Sequence, residues 1–226
     1  MKLNGKNILV ISSNEWGAVF LSKHHYAVEL ARMGNNVYFL NPPNESLPER
    51  FRITKIVEHN LHVISYRSFP QSLRLRFHAR FAYNIINKWY IKTILRKVNV
   101  KFDIAWCFDA NLYDDLRMFG APVIIYEPVD LVIYPYQLRI ARHANIIVSI
   151  SKSIIDAFRE WPQPKLLVNH GLNPAFAADA RKALAGLPES FVQPAKIRIG
   201  YVGNLVSPKF HRPYVRKMVT TYPQAE

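Results

Sequence analysis

The chain has 226 residues, half of them hydrophobic, and its 30 lysines and arginines outnumber 16 aspartates and glutamates, giving a formal net charge of +14. Its single cysteine excludes a disulfide framework, and no apolar run approaches the roughly 18 residues of a membrane span. The first apolar run, residues 8–11, is too short for a targeting segment. We therefore expect a cytoplasmic protein that is not integral to a membrane.

Seven short runs rich in β-branched and aromatic residues predict β-strands. Each run is bounded by Gly, Pro, Asn, Asp or Ser and is nearly continuous in apolar residues, as strands buried on both faces are. The runs are residues 7–12, 36–40, 61–66, 102–108, 122–127, 145–150 and 165–169. Cys107, within the fourth run, is expected to be a small buried hydrophobe.

Helical patterns separate several of these strands. After the first, Ser22 is placed to cap a helix and Gly34 to end it. After the sixth, Ser151 is placed to cap a helix that Pro162 stops. Strands that alternate with helices predict right-handed βαβ crossovers, and hence an α/β fold with a parallel sheet covered by helices on both faces.

A new strand-like unit opens at Lys196 with the sequence KIRIGYVGNL, but the residues from there to 226 are too few for a second α/β domain. The segment before it has the composition of a connector with a short helix. We therefore predict one domain over residues 1–176, a connector over 177–195 and the truncated start of a second domain over 196–226.

Positive charge is concentrated between residues 67 and 101, where nine basic residues occur without an acidic one. Lys88, Lys92 and Arg96 share one side of a predicted helix, and aromatic residues lie among the basic ones: Phe69, Phe77, Phe81, Tyr83, Trp89 and Tyr90. Three interpretations remain open: a solvated helix face, a surface for anionic lipid headgroups, and a nucleic-acid surface. Because no RNA-recognition, helix-turn-helix or zinc-finger signature accompanies the charge, nucleic acid is not expected as a partner.

The loop after the first strand, residues 12–17, matters most for chemistry because ligands of open α/β sheets bind outside the carboxyl ends of the strands. It lacks the glycine patterns of dinucleotide-binding and P-loop proteins, so we expect neither an NAD cofactor nor ATP hydrolysis. Trp16 offers a stacking surface and Gly17 a flexible backbone near the following helix start, which suits a polar ligand or phosphate. Alternatively, Trp16 packs beneath the edge of the sheet.

Two histidines, His24 and His25, follow in the first turn of the predicted helix. Adjacent helical residues point about 100° apart, and no further histidine or cysteine cluster joins them, so we expect no metal site. One of the pair, His24 in our assignment, could contact a ligand hydroxyl or phosphate.

Polar residues also follow three later strands: Asp109, Glu127, Asp130, Ser151 and Lys152. The carboxyl ends of parallel strands share one edge, so these side chains are expected to line it together. A carboxylate there could orient sugar hydroxyls or act as a base, and Asp130 is our catalytic candidate. Aspartate and serine also form turns and caps at strand ends, which remains an alternative for Asp130 and is favoured for Ser151.

In this order the motifs resemble the N-terminal domain of a GT-B glycosyltransferase of the retaining family-4 type, which builds bacterial surface polysaccharides. They are NILVISSNEWG, SKHHYAVELARMGNNVYFLNPP, YEPVD, NIIVSISKSI, VNHGLNPAF and GYVGNL. VNHGLNPAF is similar to the interdomain signature N-G-V-D-x-x-x-F, with His170 in place of its Asn and Asn173 in place of its Asp. GYVGNL is similar to the first strand and glycine loop of the nucleotide-sugar domain.

The resemblance implies a Rossmann-like fold, an acceptor held mainly by the first domain and a nucleotide sugar held mainly by the second, with no cofactor. It implies that Asn204 and Gly17 approach the donor phosphates. The family's E-x7-E pair is missing, so residues 1–226 alone are expected to be inactive. The complete enzyme would transfer a sugar to a lipid-linked or polysaccharide acceptor, peripherally at the inner face of the cell membrane, with residues 67–101 on the anionic surface. The alternatives are a catalytically inactive acceptor- or membrane-binding module and a basic RNA-binding α/β protein.

Overall fold

The computed structural model describes residues 3–17, 19–56, 59–70, 72–109, 111–130, 135–172, 174–187, 200 and 210–223. Contacts within the chain divide it into two units, residues 1–171 and 172–226. The first unit contains the sheet and the candidate site.

Within the described residues, the sheet of the first unit has eight strands: β1 (Asn7–Ile11), β2 (Asn36–Leu40), β3 (Phe51–Ile56), β4 (Leu61–Tyr66), β5 (Ile104–Cys107), β6 (Val123–Tyr126), β7 (Ile146–Ser149) and β8 (Lys165–Leu167). Their order is β3-β4-β2-β1-β5-β6-β7-β8, and all except β3 run parallel. All seven predicted strands are present, and the predicted α/β class is confirmed.

Helices cover both faces of this sheet. The helices described in the first unit are α1 (Ser22–Arg32), α2 (Ser72–His78), α3 (Arg80–Val98), α4 (Pro135–Ala141) and α5 (Lys152–Asp156), with a short 3₁₀ helix at Leu116–Phe119. Ala27 and Leu30 of α1 pack into the core on one face, while Ile91 and Ile94 of α3 pack into the larger core on the other. This is a Rossmann-like arrangement, and burying apolar surface on both faces stabilises it.

The sequence did not predict β3, which pairs antiparallel with β4 at the edge of the sheet. Its sequence, FRITKI, alternates polar and apolar residues and is largely exposed, so it lacks the continuous apolar run of the central strands. Charged residues on an edge strand also discourage pairing with another chain.

The ends of α1 match the predicted boundaries closely, but the predicted cap is wrong. Leu21, and not Ser22, is the N-cap residue, and its backbone N–H donates to Nδ1 of His24. Gly34 ends the helix as predicted, with φ of +89° and its N–H donating to the carbonyl of Ala31.

The second unit contains α6 (Pro174–Ala185) and α7 (Arg212–Thr221). The helix expected in the connector is α6, and it begins at Pro174 because proline suits the first turn of a helix. The strand predicted from Lys196 lies, apart from Gly200, outside the described residues.

Candidate functional site

The loop after β1 folds back on itself at the end of the sheet where the carboxyl termini of the parallel strands lie. The buried hydroxyl of Ser12 donates to the carbonyl of Asn14 (2.6 Å) and accepts from its N–H (3.0 Å). The N–H of Trp16 donates to Oδ1 of Asn41, which follows β2, over 2.8 Å. The loop is therefore tied to a neighbouring strand end, as a ligand-binding loop on a rigid scaffold should be.

Trp16 is half-buried and packs edge-on against Phe39 and Phe20, with ring centroids 5.0 Å from each. The packing that the sequence left as an alternative is thus present, while part of the indole remains accessible. Gly17 is exposed, and a Cβ added there would meet nothing within 4 Å. Its backbone is consequently open to a ligand.

Lys23, which the sequence analysis missed, lies at this edge and is only 3% exposed. Its ammonium donates to Oγ of Ser13 (2.9 Å) and to Oδ1 of Asn14 (2.5 Å). Burial lowers the pKa of Lys23, and the nearby carboxylates of Asp109 and Asp130 oppose this shift. Its position in the sequence could have indicated this burial, because Lys23 lies four residues before Ala27 and therefore on the same, buried side of α1.

His24 is fully buried, and both of its ring nitrogens are used within the protein. Nδ1 accepts from Leu21, and Nε2 lies 3.1 Å from the carbonyl of Glu15, which makes Nε2 the protonated nitrogen of a neutral ring. The ring also stacks on Phe39, and burial lowers its pKa. The structure therefore gives His24 the geometry of a helix cap and places it away from the exposed edge.

Asp109 lies two residues after the end of β5 and is buried. Its Oδ1 accepts the backbone N–H groups of Asn111 (2.7 Å) and Leu112 (2.5 Å), so the carboxylate shapes its own loop. Burial raises the pKa of Asp109, and these two hydrogen bonds oppose the shift. The charge of Asp109 also raises the pKa of Lys23, which lies nearby.

Glu127 lies directly after β6 and is fully buried. Oε2 accepts the indole N–H of Trp106 over 2.9 Å, and Oε1 has no hydrogen-bond partner within the described part of the chain. Burial raises the pKa of Glu127 to about 7, with the Trp106 hydrogen bond acting in the opposite direction. Buried polar atoms are normally paired, so this oxygen marks the position as unusual.

The remaining predicted residues occupy more exposed positions. Asp130 is exposed, three residues past Glu127 and within electrostatic range of Lys23. Ser151 occupies the N-cap position of α5, but its hydroxyl bonds Oγ of Ser153 (2.7 Å) and no helix N–H. The ammonium of Lys152 lies 3.1 Å from the carboxylate of Asp156. Asn204 lies outside the described residues.

The structure thus brings Asp109 and Asp130 within electrostatic range of Lys23, and we call these three residues the edge cluster. Glu127 also approaches α1, since its charge raises the pKa of Tyr26 after the larger effect of burial. In the ranges that the structure describes, no group of three His, Cys, Asp or Glu side chains is arranged to hold a metal ion. The edge cluster can therefore offer one exposed carboxylate and open loop backbone to a polar ligand, with the buried Lys23 as a fixed positive charge nearby.

The predicted basic segment includes α2 and α3. Its exposed side carries more large apolar side chains than is usual for a helix face in contact with water. Five large apolar side chains are about half or more exposed, with Phe81 at 81%: Phe69, Phe77, Phe81, Ile85 and Trp89. Lys88, Lys92 and Arg96 are exposed on the same helix. We call this set, Phe69 to Arg96, the basic apolar surface.

Not every residue of the basic segment contributes to that surface. Tyr83 and Tyr90 lie in the core, so these two aromatic residues of the segment are not part of the surface. Arg80 makes a bidentate ion pair with Asp114, the closest N–O distance being 2.5 Å, and is withdrawn from solvent. A shallow cavity of about 290 Å³ has Lys88 and Lys92 beside the apolar side chains of Leu95 and Met118. None of the described helices is long and apolar enough to cross a membrane.

Comparison with other proteins gives matches in structure only. No protein-family model and no curated protein sequence matches the chain. A UDP-forming α,α-trehalose-phosphate synthase from Burkholderia xenovorans superposes with a TM-score of 0.59 and 14% identity, over 98% of this chain and 63% of that one. A sucrose-phosphate synthase from Thermosynechococcus elongatus gives 0.52 and 12%, over 98% and 69%.

A trehalose-6-phosphate structure from E. coli, bound with UDP-2-fluoro glucose, gives a TM-score of 0.52 and 13% identity over 85% of this chain and 55% of that one. This likeness shows that the Rossmann-like fold of the chain is of the GT-B kind. The chain spans 63% of the length of the B. xenovorans enzyme. At such low identity the likeness establishes the fold, and it does not distinguish the family-4 type.

Proposed function

We propose that this chain carries the acceptor domain of a GT-B glycosyltransferase that moves a sugar from a nucleotide-sugar donor to a saccharide or lipid-linked acceptor. The observation that carries this proposal is the edge cluster, in which a buried lysine and two carboxylates lie beside an open loop at the carboxyl ends of β1, β5 and β6. Ligands of such sheets bind at this edge.

In this proposal Asp130 accepts a hydrogen bond or the proton from the acceptor hydroxyl, because it is the exposed carboxylate of the edge cluster. Lys23 supplies the compensating positive charge, and Ser13 and Asn14 fix its ammonium. Gly17 admits the donor phosphates close to the loop backbone, where N–H groups stabilise the leaving diphosphate. Asn204 is assigned to the same phosphates by resemblance alone.

The finer assignments follow the sequence resemblance. We propose an acceptor domain over residues 1–176, a connector over 177–195 and a part of the nucleotide-sugar domain from 196. The enzyme would be a family-4-like hexosyltransferase of bacterial surface polysaccharide synthesis. The UDP-2-fluoro glucose in the E. coli neighbour makes UDP sugars the first donors to test.

The basic apolar surface supports a peripheral site on an anionic membrane. Its exposed rings could enter the interface while Lys88, Lys92 and Arg96 meet the headgroups, each basic residue contributing about 1 kcal/mol near the surface. The cavity lined by two lysines and three apolar side chains suits a phosphate attached to a hydrocarbon chain. A lipid-linked acceptor would therefore be collected where it resides.

A transfer assay tests the proposal. The product of the complete gene is incubated with radiolabelled UDP and GDP sugars and bacterial membrane extract, and label in the lipid and polysaccharide fractions is counted. We expect transfer that Asp130→Asn lowers by about 100-fold or more. Glu29→Gln, which removes an exposed carboxylate on α1 that is not part of the edge cluster, should leave transfer unchanged.

Two other results would contradict a transferase and favour another function. Binding to anionic vesicles without transfer from any donor would favour a catalytically inactive membrane- or acceptor-binding module, which the basic apolar surface also supports. Salt-sensitive binding to RNA oligonucleotides but not to vesicles would favour an RNA-binding protein instead.

A further inference from the structure

We propose that a cavity between the loop after β1 and the outer strands β3 and β4 is a binding subsite for one sugar ring. The cavity measures about 250 Å³ and lies in the first unit, apart from the edge cluster. Polar and aromatic side chains line it, among them Glu15, Trp16, Asn44, Arg52, Thr54 and Ser65.

Strand register explains why its polar groups converge. Arg52 on β3 lies opposite Ser65 on β4, and Thr54 lies opposite Val63. Because side chains alternate along a strand, Arg52, Thr54 and Ser65 project from the same face of the sheet. Val63 belongs to the core under α1, so this is the face that α1 covers further in. The polar groups therefore stand where the cover of α1 ends.

The opposite wall of the cavity is held in place by hydrogen bonds. Asn41 donates from Nδ2 to Oγ of Ser65 over 2.9 Å, while its Oδ1 accepts the N–H of Trp16. Asn44 donates from Nδ2 to Oε1 of Glu15 over 2.7 Å. A binding wall that is arranged before the ligand arrives loses less free energy on association.

Several groups at the cavity remain available to a ligand. Within the described ranges, the guanidinium of Arg52 and the hydroxyl of Thr54 make no hydrogen bond or ion pair, and the second carboxylate oxygen of Glu15 is likewise unengaged. Together they offer donors and an acceptor to neighbouring hydroxyl groups, while the accessible part of Trp16 offers an apolar surface. A pyranose ring presents both hydroxyl groups and an apolar C–H face, so it matches both features.

The volume of the cavity limits which ligands with hydroxyl groups and an apolar face can fit. Pockets for drug-sized ligands measure about 300–1,000 Å³, so a cavity of about 250 Å³ holds one ring better than a whole nucleotide sugar. The natural occupant would be a sugar unit of the acceptor, and to that extent the inference rests on the proposed function. Binding of a ring by itself does not require transfer.

Saturation-transfer NMR on the 226-residue chain with the methyl glycosides of glucose, galactose and mannose tests this subsite. We expect saturation transfer to at least one glycoside and an affinity about tenfold lower in Arg52→Ala, with a smaller loss in Thr54→Ala. Lys55→Ala is the matched control, since Lys55 is an exposed basic residue on the same strand that projects from the other face.

No saturation transfer to any of these glycosides would overturn the inference, as would equal binding by the wild type and Arg52→Ala. Binding of inorganic phosphate without any glycoside would also overturn it, because the charge of Arg52 alone would then explain the site. Glycoside binding in a protein without transfer activity would reject the proposed function and keep the subsite. Transfer activity without glycoside binding at this cavity would keep the proposed function and reject the subsite.

Discussion

Trp106 on β5 donates its indole N–H to Oε2 of Glu127 at the end of β6, and in the described structure Oε1 of the same carboxylate is left without a hydrogen bond. One hydrogen bond does not compensate a fully buried carboxylate for its lost hydration. The pKa of Glu127 therefore rises from 4.5 to about 7, and the group titrates where most carboxylates are already ionised.

The first prediction concerns the pH dependence that follows. Because the folded protein holds this proton more tightly than the unfolded chain, stability should fall as the pH rises from about 4.5 to about 7, then level off. The cumulative loss is on the order of 3 kcal/mol as an upper bound. Glu127→Gln should remove this slope and gain stability over the wild type at pH 8, as measured by urea unfolding. Parallel pH profiles of the two proteins would contradict the assignment.

A second prediction separates the two adjacent histidines. His24→Ala should destabilise the protein by about 2–4 kcal/mol, because it removes the cap of α1 and a ring packed on Phe39. His25→Ala should change stability by less than about 0.5 kcal/mol, since His25 is exposed. Thermal unfolding of the two variants measures the difference, and similar losses would show that His24 has no special structural role.

The same histidine should make the protein sensitive to mild acid. Burial lowers the pKa of His24 below 6.5, so its contribution to stability is fully present above pH 6.5 and is lost as the pH falls below it. The wild type should lose more stability than His24→Ala between pH 7.5 and 5. A variant that loses as much as the wild type would assign this acid sensitivity to other groups.

A third prediction distinguishes a structural glycine from a functional one. Gly34→Ala should cost about 1–2 kcal/mol, because Gly34 has a positive φ and an added Cβ would overlap the side chain of Asn4. Gly17→Ala has open space and should cost less than about 0.5 kcal/mol while it lowers sugar transfer. Calorimetry together with the transfer assay tests both statements. Full transfer activity in Gly17→Ala would remove this glycine from the donor site.

The partly buried ion pair between Arg80 and Asp114 supports a fourth prediction. Arg80 bonds Asp114 and the carbonyl of Asn111, and Asn84 also donates to Asp114. Asp114→Ala removes these charge-assisted hydrogen bonds and should cost about 2 kcal/mol. Asp156→Ala, which breaks only the exposed pair with Lys152, should cost about 0.5 kcal/mol or less. Urea unfolding would contradict this account if the two losses were equal.

Sequence patterns predicted the central strands well because burial on both faces requires continuous apolar runs, as in residues 8–11. They failed for β3, whose charged residues at 52 and 55 are tolerated only because the strand lies at an exposed edge. Edge position depends on the rest of the sheet, so no local run of residues could reveal it.

The candidate site divides in the same way. The strand-end rule placed Asp109 and Glu127 at one edge, but it could not reveal that both are buried. Lys23 was missed because a lysine beside the polar Ser22 resembles a solvated residue. The pairing of Arg52 with Ser65 was beyond the sequence, because it depends on the register of the missed strand.

A fifth prediction concerns the basic apolar surface. Phe81→Ala and Trp89→Ala should each weaken binding to vesicles of mixed phosphatidylcholine and phosphatidylglycerol by about threefold to tenfold, since both rings are largely exposed. Neutralising Lys88, Lys92 and Arg96 together should weaken binding further and reduce its dependence on salt.

Phe176→Ala is the control for that measurement, because Phe176 is 64% exposed but lies in the second unit, outside the basic apolar surface. Vesicle sedimentation should show wild-type binding for this variant. Equal binding by all variants, or no binding by the wild type, would leave α3 as an ordinary solvated helix.

Isothermal titration with UDP, GDP and their common sugar conjugates asks whether the protein binds a nucleotide sugar. The protein that the gene encodes is titrated beside its Gly17→Ala variant. We expect saturable binding of at least one nucleotide sugar, weakened in Gly17→Ala. Absence of binding to every nucleotide and nucleotide sugar by the wild type would contradict a nucleotide-sugar-dependent transferase.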